Sequence, residues 1–193
     1  MTVRTRILSA VVALGLVAGA VRAADTYQID PEHSILLFRV KHLNVGWAYG
    51  TINDPTGTLV WDEANPANSS VTVTAELAKL DTDNEKRDAH LKSPDFFNAK
   101  QFPTLTFKST KIAKASAGNN LYDVSGDLTV HGVTKPVTVQ LEQVGTAKDP
   151  WGNIRTGFEG TFTVKRSDFD MNFMPEGIAN DVRVTVSFEA TRK

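Results

Sequence analysis

The chain has 193 residues, 21 basic and 22 acidic side chains, and no cysteine. The missing thiol excludes disulfides, thiolate nucleophiles, iron–sulfur clusters and cysteine zinc sites. The balanced charge argues against a nucleic-acid partner, which would select a basic surplus or stripe.

Residues 1–23 carry Arg4, Arg6 and Arg22 and no acid. The run from Ile7 to Val21 is apolar apart from Ser9 and glycines. At about 15 residues it is shorter than the ~20 that a membrane-spanning helix needs. A basic start, a short apolar middle, and Val21 and Ala23 at the small-residue positions predict a signal peptide cut after Ala23. The expected product is an exported, periplasmic domain of residues 24–193 with no membrane span. Arg4 and Arg6 are separated by Thr5, so the twin-arginine signal is absent.

The remainder reads as strands, taken in chain order. Ser34, Leu36, Phe38 and Val40 line one face of the first long strand, with Arg39 and Lys41 on the other. Val71, Val73, Ala75 and Leu77 alternate with polar residues. Leu105 and Phe107 alternate with Thr104, Thr106 and Lys108. Similar two-residue periods run through Tyr122–Val130, Val137–Leu141, Phe158–Val164 and Val182–Phe188. Such alternation marks antiparallel strands with one apolar and one polar face. Turns fall at Asn53-Asp54-Pro55-Thr56-Gly57, Asn65-Pro66, Gly118-Asn119-Asn120 and Asp149-Pro150-Trp151-Gly152. A sandwich and a barrel both fit this pattern; a barrel removes the exposed edges.

Residues 81–98 break the alternation. Asp81, Thr82 and Asp83 offer N-caps, and Asn84 to Leu91 predict two helical turns. Ser93 and Pro94 predict the start of a second short helix. Leu91, Phe96 and Phe97 are expected to face the core.

The residues carry little sign of catalysis. His33, His42, His90 and His131 show no HxH or HExxH spacing, so no metal site is predicted. Glu85, Arg87, Asp88 and His90 are read as a local ion-pair network. No serine sits in a nucleophile elbow. Met171, Phe173 and Met174 fit either core packing or an apolar lip, and Trp47, Tyr49 and Trp61 fit either lining or packing.

Several blocks are distinctive. Tyr27-Gln28-Ile29-Asp30-Pro31-Glu32-His33-Ser34 leads to Phe38-Arg39-Val40-Lys41-His42-Leu43. Later come Arg87-Asp88-Ala89-His90-Leu91-Lys92-Ser93-Pro94-Asp95-Phe96-Phe97-Asn98 and Gly126-Asp127-Leu128-Thr129-Val130-His131-Gly132-Val133-Thr134-Lys135-Pro136-Val137. Arg166-Ser167-Asp168-Phe169 completes the set. In order and spacing these resemble the YceI-like family across residues 24–193. Asp170 departs from the pattern, since many members have Gly there.

The resemblance implies an all-β, extended, eight-stranded antiparallel barrel similar to lipocalins, with a short helical insert. It implies an interior that binds a long apolar isoprenoid chain, a polyprenyl lipid or an isoprenoid quinone, with no other cofactor and no catalysis. Alternation alone leaves open whether side chains or a ligand fill the interior. Phe38, Val40, Val73, Phe107, Leu128, Phe162 and Val186 are the expected ligand-facing wall. Two alternatives stand beside a carrier: a solid-core structural or stress protein, and an enzyme acting on lipid or quinone near Asp88 and His90. A homodimer is compatible with the sequence. N-terminal sequencing of the exported protein is expected to begin at Ala24; a start at Met1 contradicts the cleavage site.

Overall fold

The computed structural model describes residues 24–193. The expected signal peptide lies outside the described residues. Ten strand segments form one antiparallel sheet: β1 (Asp25–His42), β2 (Gly46–Asn53), β3 (Thr56–Trp61), β4 (Ser70–Glu76), β5 (Leu80–Asp81), β6 (Thr104–Lys114), β7 (Leu121–Val130), β8 (Val133–Lys148), β9 (Ile154–Lys165) and β10 (Ile178–Arg192). β10 pairs back onto β1, with Phe38 opposite Val184 and Tyr27 opposite Arg192, so the sheet closes.

The ten segments make eight positions around the wall. β1 holds β2 along Ile35–His42 and β3 along Asp25–Gln28, so these two share one position. They are separated at Asp54-Pro55, where Asp54 adopts a left-handed φ of 56°. β4 continues beside β3 and β5 beside β2, sharing a second position. Asp30-Pro31, a pair of turn-forming residue types, lies inside β1. The strand passes through it as a bulge, because Asp30 opposes Glu189 but Ile35 already opposes Ser187. Asp30 holds that bulge, its carboxylate accepting from the Glu32 N–H and its carbonyl from the Ser34 hydroxyl.

The one α-helix among the described residues, α1 (Glu85–Leu91), starts at Asn84, whose side chain accepts from the Arg87 N–H at 3.0 Å. Thr82 and Asp83 are not the cap. Thr82 instead donates from its N–H and hydroxyl to Asp88. The second helix expected from Ser93 is absent: residues 93–97 form turns closed by Phe96 N–H to Ser93 O and Asn98 N–H to Ser93 O. No described helix is long and apolar enough to cross a membrane.

One end of the barrel is solid. Trp61 meets Tyr122 and Phe158 edge-on, with ring centroids 4.7 and 4.9 Å away, and Phe158 stacks on Phe188. Tyr27, Ile29, Leu59 and Ala190 complete this floor, all buried. Outside it, Arg155 ties β9 to two neighbouring segments, donating to Asp30 at 2.6 Å, Asp149 at 3.2 Å and Glu189 at 3.3 Å. Burial pushes the Asp149 carboxyl up, but hydrogen bonds from Asn153, Arg155 and Trp151 outweigh it and hold it at about 2. At Asp30, too, burial is outweighed, by Arg155 and His33, and the pKa is lowered.

Because the folded carboxyls sit below their unfolded values near 4, their contribution is complete above that pH and lost as pH falls towards 2. Asp149→Asn is therefore expected to lower the melting temperature at neutral pH and to flatten its fall between about pH 4 and 2. Parallel acid limbs for variant and parent contradict this.

Asp170 ends a 3₁₀ turn (Arg166–Phe169) at φ 59° and ψ 20°. This left-handed conformer costs an L-residue roughly 1–2 kcal/mol, less for Asp, while glycine is free of the steric penalty. Asp170→Gly is expected to gain about 0.5 kcal/mol in urea unfolding, the extra unfolded-state entropy of glycine offsetting the rest. A lower midpoint would show that the exposed carboxylate has a stabilising role.

Candidate functional site

Above the aromatic floor the barrel is hollow. A cavity of about 410 Å³ runs along its axis, within the range of roughly 300–1,000 Å³ typical of ligand sites. Period-two alternation aims one row of each strand into it. All seven expected wall residues, Phe38, Val40, Val73, Phe107, Leu128, Phe162 and Val186, line the cavity. β10 adds Val182 and Val184 between them. Thr106 lies in the outer row, opposite Thr129, and borders the cavity through its place in the strand between Leu105 and Phe107.

Aromatic rings would fill so narrow a space unless they lay against the wall, and small residues make that possible. Gly50 opposes Phe38 across β1 and β2. A Cβ on Gly50 would stand 2.4 Å from the end of the Phe38 ring and 2.7 Å from the Thr82 methyl. Gly126 does the same for Phe107, 2.5 Å from its ring. Each glycine lets a phenyl group lie across it, leaving the axis open.

The opposite end from the floor is partly roofed. Leu91, Phe96 and Phe97 come from α1 and the turns after it, and Met171, Phe173 and Met174 from the β9–β10 connection. The two pieces meet where His90, Phe96 and Phe173 pack edge to face, with centroids 5.0–5.3 Å apart. Met171 is buried, while Phe173 and Met174 are exposed yet line the cavity. The cluster thus divides between core and lip. Trp61 belongs to the floor, while Tyr49 and Trp47 stand in the outer row of β2, Tyr49 opposite Arg39 and hydrogen-bonded to it and Trp47 beneath the same guanidinium.

Polar groups gather at this roofed end. His42, Thr82, Arg87, His90 and Arg166 line the cavity there. Arg166 is buried and donates to the carbonyls of Met171 at 2.6 Å, Ile178 at 2.9 Å and Ala179 at 3.1 Å. It fastens the lip to the start of β10, and burial lowers its pKa. Sequence reasoning missed it, because alternation ends at Lys165 and nothing local predicts that the next side chain turns inward.

The expected ion-pair network around α1 is not formed. Arg87 donates to the hydroxyl and carbonyl of Thr82, Asp88 accepts from Thr82, and His90 pairs with Asp95 at 2.9 Å. Thr82, rather than Glu85 or Asp88, takes up the guanidinium. His33 pairs with Asp30 and His131 with the Phe169 carbonyl. No group of three or more metal-binding side chains occurs among the described residues.

The comparisons agree with this architecture. A family model described as a YceI-like domain matches residues 27–190. A UPF0312 protein of Pseudomonas aeruginosa is 42% identical over 178 residues, 91% of each chain. Protein YceI of Escherichia coli O17:K52:H18 is also 42% identical over 178 residues, again 91% of each chain. Among solved structures, Burkholderia cenocepacia BcnA superposes with a TM-score of 0.75 at 26% identity, covering 84% of this chain and 99% of its own. A polyisoprenoid binding domain from Saccharophagus degradans has the same fold, with a TM-score of 0.68 at 16% identity, covering 89% of this chain and 100% of its own.

The glycine argument has a direct consequence. In Gly50→Ala the movable neighbours are the Phe38 ring and the Thr82 methyl, so the ring is expected to swing into the lumen. Overpacking of this kind costs about 1–3 kcal/mol. Uptake of a fluorescent apolar probe is expected to fall sharply; unchanged uptake would show that the ring has another place to go.

Proposed function

The chain belongs to the YceI-like family, and from that premise we propose that it is a periplasmic carrier that sequesters a long isoprenoid chain, polyprenyl lipid or isoprenoid quinone, without catalysing a reaction. The observation that carries the proposal is the open lumen, which presents an almost wholly apolar wall from the Phe188 level to the lip. An apolar chain gains ~25 cal/mol for each Å² withdrawn from water, so such a wall holds it with few polar contacts. The Saccharophagus domain is a barrel of this fold described as polyisoprenoid-binding. At that identity the likeness carries the fold alone, and the ligand class is argued from the wall.

The candidate catalytic neighbourhood supports binding rather than turnover. Asp88 spends an oxygen on two Thr82 donors, and His90, at the roofed end of the cavity, engages Asp95 through Nε2 while its ring packs against Phe96 and Phe173. Extraction of the purified protein with organic solvent, followed by mass spectrometry, is expected to release a prenyl lipid. Repeatedly clean extracts with no uptake of added prenyl lipid contradict carriage.

Phe107 sharpens the test. Phe107→Asn puts an amide into the apolar wall, which costs on the order of 1–3 kcal/mol if unpaired, and removes a ring. Both thermal stability and prenyl-lipid occupancy are expected to fall, while Lys108→Asn, on the outer face, leaves both near the parent values. Full occupancy in a folded Phe107→Asn protein would remove Phe107 from the site.

A further inference from the structure

The roofed end of the barrel also carries an exposed surface that the lumen does not explain. The β1–β2 hairpin turns through Leu43 and Asn44, both with positive φ, and closes by Val45 N–H to His42 O at 3.1 Å. This tight turn pushes Val45 into solvent at 84% exposure, with Leu43 at 52% and Trp47 at 44%. Phe173 and Met174 of the lip are exposed beside it, and Leu43 N–H to Gly177 O, at 2.7 Å, binds hairpin and lip into one rim. Phe173 and Met174 belong both to this surface and to the cavity wall.

A cationic belt lies behind the apolar tip. Arg39 and Lys41 project from the outer face of β1, the guanidinium 4.4 Å and the ammonium 5.6 Å from the Trp47 ring. Arg183 of β10 stands opposite Arg39 in register. The lip across the rim carries acids, Asp168, Asp170 and Glu176, and Asp181 stands opposite Lys165, so the cationic belt is confined to the face formed by β1, β2 and β10. The sequence of apolar tip, tryptophan and tyrosine, then arginine and lysine is the order in which a membrane interface selects side chains. The long stems of Arg39 and Lys41 suit the headgroup layer, where their charges meet lipid phosphates.

We propose that this rim docks the barrel on the surface of an anionic bilayer, with Leu43, Val45, Trp47 and Met174 entering the interface and Arg39, Lys41 and Arg183 facing the phosphates. The proposal extends the carrier reading, since docking there sets the mouth of the lumen against the lipid from which an apolar chain would enter. The far end provides a control: Trp151, 81% exposed on the β8–β9 hairpin, sits beside Asp149 and away from any mouth.

Co-sedimentation of residues 24–193 with vesicles tests it. Binding is expected to phosphatidylcholine vesicles containing phosphatidylglycerol, at least tenfold stronger than to phosphatidylcholine alone, and to weaken with salt. Val45→Asp is expected to reduce binding at least tenfold. Arg39→Gln and Lys41→Gln each reduce it about fivefold, the equivalent of ~1 kcal/mol per charge near an anionic surface. Trp151→Ala leaves it unchanged. Circular dichroism confirms that each variant is folded.

No vesicle binding by the folded parent, or equal loss in Trp151→Ala and Val45→Asp, overturns the proposal. So does a dimer in sedimentation equilibrium that Val45→Asp dissolves, with no vesicle binding. Extraction of bound prenyl lipid is read separately. Lipid present without docking refutes the docking surface and leaves the carrier standing, whereas docking by a protein that never holds prenyl lipid supports the surface and refutes the carrier.

Discussion

The ladder between β1 and β10 turns a sheet into a tube, and the other features of the molecule follow from that closure. An open sheet with these alternating strands would need a second layer to cover its apolar face. Closure lets the face cover itself and removes two unpaired edges. β1 meets this demand with 18 residues, reaching from the floor to the rim and pairing on both sides. The bulge after Asp30 keeps it in register with β10 as it does so.

Closure alone does not make a container. Eight wall positions enclose a space that side chains can fill or leave open. Here the two outcomes coexist along one axis. Trp61, Tyr122, Phe158 and Phe188 fill the lower part with interlocking rings. Higher up, valines on β10 and glycines beneath Phe38 and Phe107 leave the axis free. The charged groups are kept away from the apolar wall: Arg155 and its three carboxylates lie outside the floor, while Arg87 and Arg166 sit by the lip. Arg166 spends its donors on backbone carbonyls, so the lip is held to β10 without bringing an acid into the cavity.

The wall was legible in the sequence because strand periodicity has only two phases, and a residue such as Phe107 between Thr106 and Lys108 has its face set by its neighbours. The helical insert was legible through its broken alternation and its cap-rich start, although the cap falls on Asn84 rather than on the residues before it. The hollowness of the barrel was not legible. It depends on Gly50 lying opposite Phe38, a relation set by register between strands rather than by either strand alone. The bulge through Asp30-Pro31 was hidden for a similar reason, since local turn chemistry gives way to pairing on both flanks. Nor could composition place Val45, Trp47 and Met174 on one rim, which requires the hairpin to meet a connection more than a hundred residues later in the chain.

The central claim is an open, apolar lumen that holds a chain. Experimental electron density from residues 24–193, purified without detergent or added lipid, tests it most directly. The account predicts continuous elongated density along the axis, from above Phe188 to the lip at Phe173 and Met174. A lumen closed by the rings of Phe38, Phe107 and Phe162, with no such density, would contradict it.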